Sequence, residues 1–217
     1  MTTHNLTRRA ALVAVTGVAS VLLAACGGGA GGAHAGHGTS ASLSPSASST
    51  GTPHNAQDVA FAQGMIPHHQ QALEMARLAD GRASSARVKD LAARIEKAQD
   101  PEIRTMTGWL KAWGEQVPMA GMDHSGHTGM SGMSGMSGMS GMMSDDDMAA
   151  LKKATGKDFD TKFLSLMVEH HQGAVEMATT EKNKGRYGPA QGMADDIVGA
   201  QNAEIKEMKQ LLGKSGS

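Results

Sequence analysis

The stretch Met65-Ile66-Pro67-His68-His69-Gln70-Gln71-Ala72-Leu73-Glu74-Met75-Ala76 is written a second time in the same chain. The second copy reads Met167-Val168-Glu169-His170-His171-Gln172-Gly173-Ala174-Val175-Glu176-Met177-Ala178, each residue 102 positions further on. The same offset carries Asp58 and Phe61 onto Asp160 and Phe163. It also carries Ile95, Ala98, Gln99, Glu102, Ile103, Met106 and Leu110 onto Ile197, Ala200, Gln201, Glu204, Ile205, Met208 and Leu212. Residues 77–89 and 179–191, by contrast, share little. The copies have diverged, yet the His-His pairs and the methionines around them stand unchanged.

Helical periodicity runs outward from the repeat. At 100° per residue, Phe61, Met65, His68, His69, Ala72, Met75, Ala76 and Ala79 share one broad face. Asn55 is placed to cap this helix with Asp58 in its first turn, and Gly81 is expected to end it. A second helix is expected over 84–113, kinked or restarted at Pro101 with Asp100 as a cap. After residue 144, three acids and two lysines predict a short helix over 145–153, stopped by Gly156. The second hairpin is expected over about 158–184 and 189–212. Neither hairpin can cover its apolar face alone. The expected fold is therefore all-α, a four-helix bundle built from two duplicated helical hairpins, residues 55–113 and 145–213.

Composition bounds the chemistry. Aromatic residues are 3% of the 217-residue chain, too few for a typical β-rich core, and a net charge of −1 gives no case for nucleic acid. There are 17 Met and 10 His against a single Cys, which leaves no internal disulfide and no Cys-based metal site. Metal chemistry here would run on imidazole, thioether and carboxylate.

The remaining segments read as export and tethering. Residues 1–25 carry Arg8-Arg9 and then an uncharged run too short for a spanning helix, as in a signal peptide. Leu23-Ala24-Ala25-Cys26 resembles the bacterial lipobox, which implies acylation of Cys26 and a membrane-anchored lipoprotein on the outer face of the cell membrane. Thr7-Arg8-Arg9 loosely resembles a twin-arginine signal. Residues 26–54 are a Gly/Ala/Ser/Thr/Pro tether that contains His34 and His37. Residues 114–144 form a linker rich in Met, His, Gly and Ser.

Met65, His68 and His69 stand at i, i+3 and i+4, with Met75 seven beyond His68, so all four share a stripe. Met167, His170, His171 and Met177 repeat the arrangement. Imidazole with thioether suits copper: sulfur is a soft ligand for Cu(I), and imidazole accepts Cu(I) and Cu(II). For Met75, Met106, Met177 and Met208, ligand and core filler are both open readings. By residue counting Gln99 falls roughly level with Met65, with Glu102 and Met106 about one and two turns beyond, and all three read as candidates for support behind the ligands or for capping the bundle. Glu74 and Glu176 point elsewhere and read as salt-bridge partners. In the linker, Met119, Met122, His124, His127, Met130, Met133, Met136, Met139, Met142 and Met143 read as a weaker, secondary copper-capture layer. Imidazole sites should release metal below about pH 6, near the unperturbed pKa.

These motifs, Phe-x-x-x-Met-x-x-His-His-Gln-x-Ala-x-Glu-Met-Ala in both copies with a later Gln-x-x-Glu-Ile-x-x-Met, resemble the bacterial family catalogued as domain of unknown function 305. The resemblance implies a ferritin-like fold and an exported copper-binding protein linked to copper tolerance. Carried over by position, it points to Met65, His68, His69, Met75, Met167, His170, His171 and Met177 as metal ligands. This chain departs from the pattern at Pro67, where the second copy has Glu169, and in the long Met-rich insert. Two rival readings stand beside copper sequestration or hand-over by a non-enzyme. One is a metal-free, surface-tethered interaction module whose His pairs bind a partner or sense pH. The other is a di-iron oxidase, which usually requires Glu-x-x-His on two helices, and neither copy contains it.

Overall fold

Asn55 opens the first helix with a closed capping box. Its side-chain oxygen accepts from the N–H groups of Gln57 and Asp58, and Asp58 accepts in return from the Asn55 N–H. In a computed structural model of the chain, residues 53–118 and 139–215 are described, with side chains to residue 213. The signal segment, Cys26, the tether with His34 and His37, and linker residues 119–138 lie outside the described residues.

The helices in order are α1 (Ala56–Arg77), α2 (Ala79–Arg82), α3 (Ala86–Trp113), α4 (Asp145–Lys153), α5 (Gly156–Lys184) and α6 (Gly188–Ser215). No strand occurs among the described residues; an isolated parallel bridge joins Ala83 to Gly156. The long helices pair as α1 with α3 and α5 with α6, and α1 packs against α5. The result is the expected four-helix bundle. No helix among the described residues is long and apolar enough to cross a membrane.

Three local expectations are corrected. Gly81 does not end the first helix: α1 stops at Arg77, and Gly81 lies inside the single turn α2. Pro101 does not restart α3, which runs through it; Asp100 pairs with Arg104 one turn on instead of capping. The carbonyl that loses its donor there belongs to Lys97, which is exposed, so water can replace the lost bond. Gly156 does not stop α4. It is the first residue of α5, at φ +63, and α4 ends two residues earlier in an extended Ala154.

Burial follows the predicted faces. Phe61, Met65, His68, His69, Ala72, Met75, Ala76 and Ala79 are all buried. The core divides into two apolar clusters. One holds Phe61, Met65 and Ile66 from the start of α1 with Ala174 and Ala178 from the far half of α5, plus Met106 and Leu110. The other holds Met75 and Ala76 from the end of α1 with Phe163 and Met167 from the first half of α5, plus Met208. The start of each helix therefore shares a cluster with the end of the other, as an antiparallel pair requires. On both helices the His-His pair falls between the two sets.

Two carboxylates tie the repeats together reciprocally. Buried Asp160 on α5 accepts from the N–H groups of Ser84 and Ser85 and from the Ser84 hydroxyl, just ahead of α3. Its repeat counterpart, buried Asp58 on α1, accepts from the N–H groups of Arg186 and Tyr187, just ahead of α6. Each acid thus caps the second helix of the other repeat, where orphan N–H groups and the positive end of the helix dipole favour an anion. Burial pushes the Asp58 carboxyl up, but hydrogen bonds from the Tyr187, Asn55 and Arg186 backbone oppose it, and the carboxyl is held below its ordinary value. Fully buried Glu181 goes the other way. Burial, then the neighbouring Asp58, pushes it up to about 8, so at neutral pH it is mostly protonated and does not oppose the Asp58 charge.

Removing either clamp leaves buried backbone donors unpaired. Asp160→Ala and Asp58→Ala are each expected to lower unfolding stability by about 2–4 kcal/mol. Urea unfolding followed by circular dichroism checks this, and a midpoint unchanged in both variants would show that the clamps carry no stability.

Candidate metal centre

The crossing of α1 and α5 places four imidazoles inside the bundle. His68, His69, His170 and His171 are each 0% exposed. The His68 and His170 rings lie against one another across the internal symmetry, centroids 3.8 Å apart and planes tilted by 39°. His171 stands beside His170 at 6.4 Å.

The two pairs are held differently. His69 Nε2 lies 2.7 Å from Glu102 Oε2 on α3, and His171 Nε2 lies 2.7 Å from Glu204 Oε2 on α6. A carboxylate only accepts, so the ring N–H is at Nε2 and donates to it. That leaves Nδ1 of each ring as a lone-pair donor, and neither Nδ1 has a partner. Fixing one ring nitrogen by a carboxylate while the other faces inward is the usual way to orient a ligating histidine. His68 and His170 lack even this support, since both nitrogens of both rings are unpaired.

Eleven buried side-chain nitrogen and oxygen atoms lack a partner among the described residues. Eight of them belong to His68, His69, Gln99 and their repeat counterparts His170, His171 and Gln201. Buried polar atoms normally find partners, so such a concentration makes this part of the bundle the candidate ligand site. Among the described residues, no three His, Cys, Asp or Glu side chains are disposed to close on one ion. An ion at this level would need thioether or backbone donors as well.

Burial, with the neighbouring His69 and His171 rings, pushes His68 down to about 3. It holds His170 well below its ordinary value, assisted by His68, His171 and His69. Both rings are therefore neutral at pH 7, the form that binds metal. The expectation that these imidazoles protonate near pH 6 is corrected for His68, because the sequence shows the residue type and not its desolvation.

The methionines are placed as follows. Met65, Met75, Met106, Met167 and Met208 are fully buried and Met177 is half-buried. Met75 does not share a cluster with Met65 of its own repeat. It lies with Met167 and Met208, while Met177 packs onto the cluster of Met65 and Met106. Each thioether set therefore mixes the two repeats. Glu74 pairs with Lys152 of α4 at 2.7 Å, as expected of a surface ion pair, and Glu176 is exposed.

Of the linker candidates, Met119, Met122, His124, His127, Met130, Met133 and Met136 lie outside the described residues. The end of the linker is docked against the histidine level. Gln71 of α1 grips the Met143 backbone through two bonds, donating from Nε2 to its carbonyl at 3.0 Å and accepting from its N–H at 2.8 Å. At the repeat-equivalent position α5 has Gly173, where a Cβ would stand 1.9 Å from the Ser140 carbonyl oxygen. At Gly141, φ +82, a Cβ would stand 2.8 Å from the His170 carbonyl oxygen and 2.9 Å from that of Glu169. The His68 ring faces the Ser140 backbone without a well-formed hydrogen bond. The roles of Gln71 and Gly173 are absent from the sequence reading; the one signal for them was that the two copies differ at this position.

Residues 58–212 match the family described as a domain of unknown function, DUF305. The chain belongs to the DUF305 family. A DUF305 protein from Streptomyces coelicolor, assigned as secreted, is 33% identical, with 74% of this chain and 93% of that one covered at a TM-score of 0.63. A DUF305 fragment from Deinococcus radiodurans is 31% identical, covering 75% and 99% at 0.62. CopM in its Cu(II)-bound form is 36% identical, covering 72% and 96% at 0.59; it has also been solved bound to Cu(I) and to silver. No curated protein sequence matches the chain significantly.

The buried rings make a signed prediction for the metal-free protein. His68 titrates at 6.5 when unfolded and about 3 when folded, so from pH 6.5 downward the unfolded state takes up protons that the folded state refuses. Stability is full above pH 6.5 and is lost as pH falls towards 3. Urea midpoints of the parent chain are expected to fall over this window, and those of a His68→Leu/His170→Leu chain to fall less steeply. Equal slopes would refute the assignment.

Proposed function

We propose that this DUF305 protein binds copper between α1 and α5 and sequesters or hands it on outside the cytoplasm, without catalysing a reaction. The observation that carries the reading is the His68–His170 pair: two neutral, fully buried imidazoles with four unpaired nitrogens, flanked on both helices by buried methionine. Met65, His68, His69, Met75, Met167, His170, His171 and Met177 are the candidate ligands, with Glu102 and Glu204 orienting His69 and His171. Neutral nitrogen and sulfur donors favour copper over calcium or magnesium, which take oxygen. CopM, which carries Cu(I), Cu(II) or silver in its solved forms, supports the same direction. The Met-rich linker would add capacity, with weaker binding because a flexible chain must order around each ion. An acyl group on Cys26 would keep the protein at the outer face of the cell membrane. The rival in which the His pairs grip a protein partner is disfavoured by their burial, since a partner cannot reach side chains that are 0% exposed.

The test is competition for Cu(I) against a chelator at neutral pH. The parent chain is expected to show a tight class of sites and a weaker one, and a chain lacking residues 119–138 to keep only the tight class. A chain with His68, His69, His170 and His171 changed to Ala is expected to lose that tight class. Glu102→Gln with Glu204→Gln preserves volume and should weaken it by about 10–100-fold. Full tight binding in both substituted chains would refute the site.

A further inference from the structure

The internal symmetry fails next to the histidine level, and the failure gathers sulfur. Position 64 of α1 is glycine, whereas its repeat counterpart on α5 is Leu166. Gly64 has no backbone reason to be glycine, because it is not among the positive-φ glycines. A glycine inside a helix costs about 0.5–1 kcal/mol relative to alanine. Over the place where a Cβ would stand lie two thioethers, the Met177 sulfur at 3.6 Å and the Met139 sulfur at 3.8 Å. Met177 is presented by α5. Met139 comes from the docked end of the Met-Ser-Gly segment, held by the Gln71–Met143 pair and by the close seating of Ser140 and Gly141 on Gly173.

We propose that the notch over Gly64 is a two-thioether site for a soft monovalent cation, Cu(I) or Ag(I), formed by Met139 and Met177. The inference rests on the copper reading of the histidine cluster and adds to it an entry station that uses this chain's own insert. Two neutral sulfurs bring no charge and no hard donor, so the notch favours Cu(I) and Ag(I) over Cu(II), zinc or calcium. Both methionines are half-buried, so an ion can reach the notch from solvent. The next residue, Ser140, faces the His68 ring, and Gly141 lies on the His170 carbonyl. An ion in the notch therefore stands beside the docked residues 139–141, which lead to the buried imidazoles.

The experiment uses the full chain with 13C-methyl methionine and labelled histidine, titrated with Ag(I) as a redox-inert probe and read by NMR. Met139→Leu and Met177→Leu assign the two methyl signals. In the parent chain both methyls are expected to shift in one shared, saturable step. In Met139→Leu the Met177 shift should require at least about tenfold more free Ag(I). Gly64→Ala keeps both sulfurs and favours the helix, but places a methyl group against both, at 3.6 Å and 3.8 Å; it should weaken the step similarly while its thermal midpoint holds or rises. A Met177 response unchanged in both variants would overturn the notch. Histidine shifts without any Met139 or Met177 response would overturn the notch alone, leaving the cluster intact. If Ag(I) moves only other methionine signals and no histidine signal, the notch and the copper reading fall together.

Discussion

Two imidazoles pressed together at the centre of a helical bundle, with no hydrogen bond to either ring, are the constraint around which this fold is arranged. Burying an unpaired polar group costs roughly 1–3 kcal/mol by protein mutational measures, and here four ring nitrogens are buried in that way. Apolar packing must offset the penalty, and it does so from both sides, through clusters that hold the large side chains Phe61, Phe159, Phe163, Leu91, Ile95 and Leu110. The histidine level is thus the least self-satisfied part of the core, set between its two best-packed parts.

Exchange between the repeats recurs at every layer. The backbone clamps run from Asp58 to the second repeat and from Asp160 to the first. The methionine sets take two members from one repeat and one from the other. Arg94 on α3 reaches Glu207 on α6 at 2.6 Å. The imidazole–carboxylate pairs, His69 with Glu102 and His171 with Glu204, stay within a repeat. Orientation of these two rings is therefore local to each hairpin, whereas bringing the four imidazoles together needs both.

Much of this was legible in the chain because duplication supplied an internal control. The helices, their buried faces, the Asn55 cap and the place of Glu102 beside the histidines followed from periodicity and from positions kept in both copies. Three kinds of feature were not legible. Glycine and proline have context-dependent effects, so Gly81, Pro101 and Gly156 misled as local stop signals. Desolvation depends on the assembled core, so the depressed titration of His68 could not be read from residue type. Contacts that cross between repeats carry no sequence spacing of their own: Asp58 read only as a first-turn acid behind the Asn55 cap, although its longer-range partners are Arg186 and Tyr187.

The reciprocal aspartate clamps have a topological consequence. Because each carboxylate reaches the opposite repeat, two separate hairpins facing one another would satisfy the same contacts as one continuous chain. The connection between α3 and α4 then serves mainly to keep the halves at high effective concentration. Loop-closure entropy grows only logarithmically, with each doubling of length adding about 0.6 kcal/mol. The bundle therefore places almost no upper limit on the length of that connection, and few limits on its composition beyond the docked residues near Gly173. A segment so lightly constrained by folding is free to lengthen by repetition of Met-Ser-Gly units while the scaffold stays unchanged.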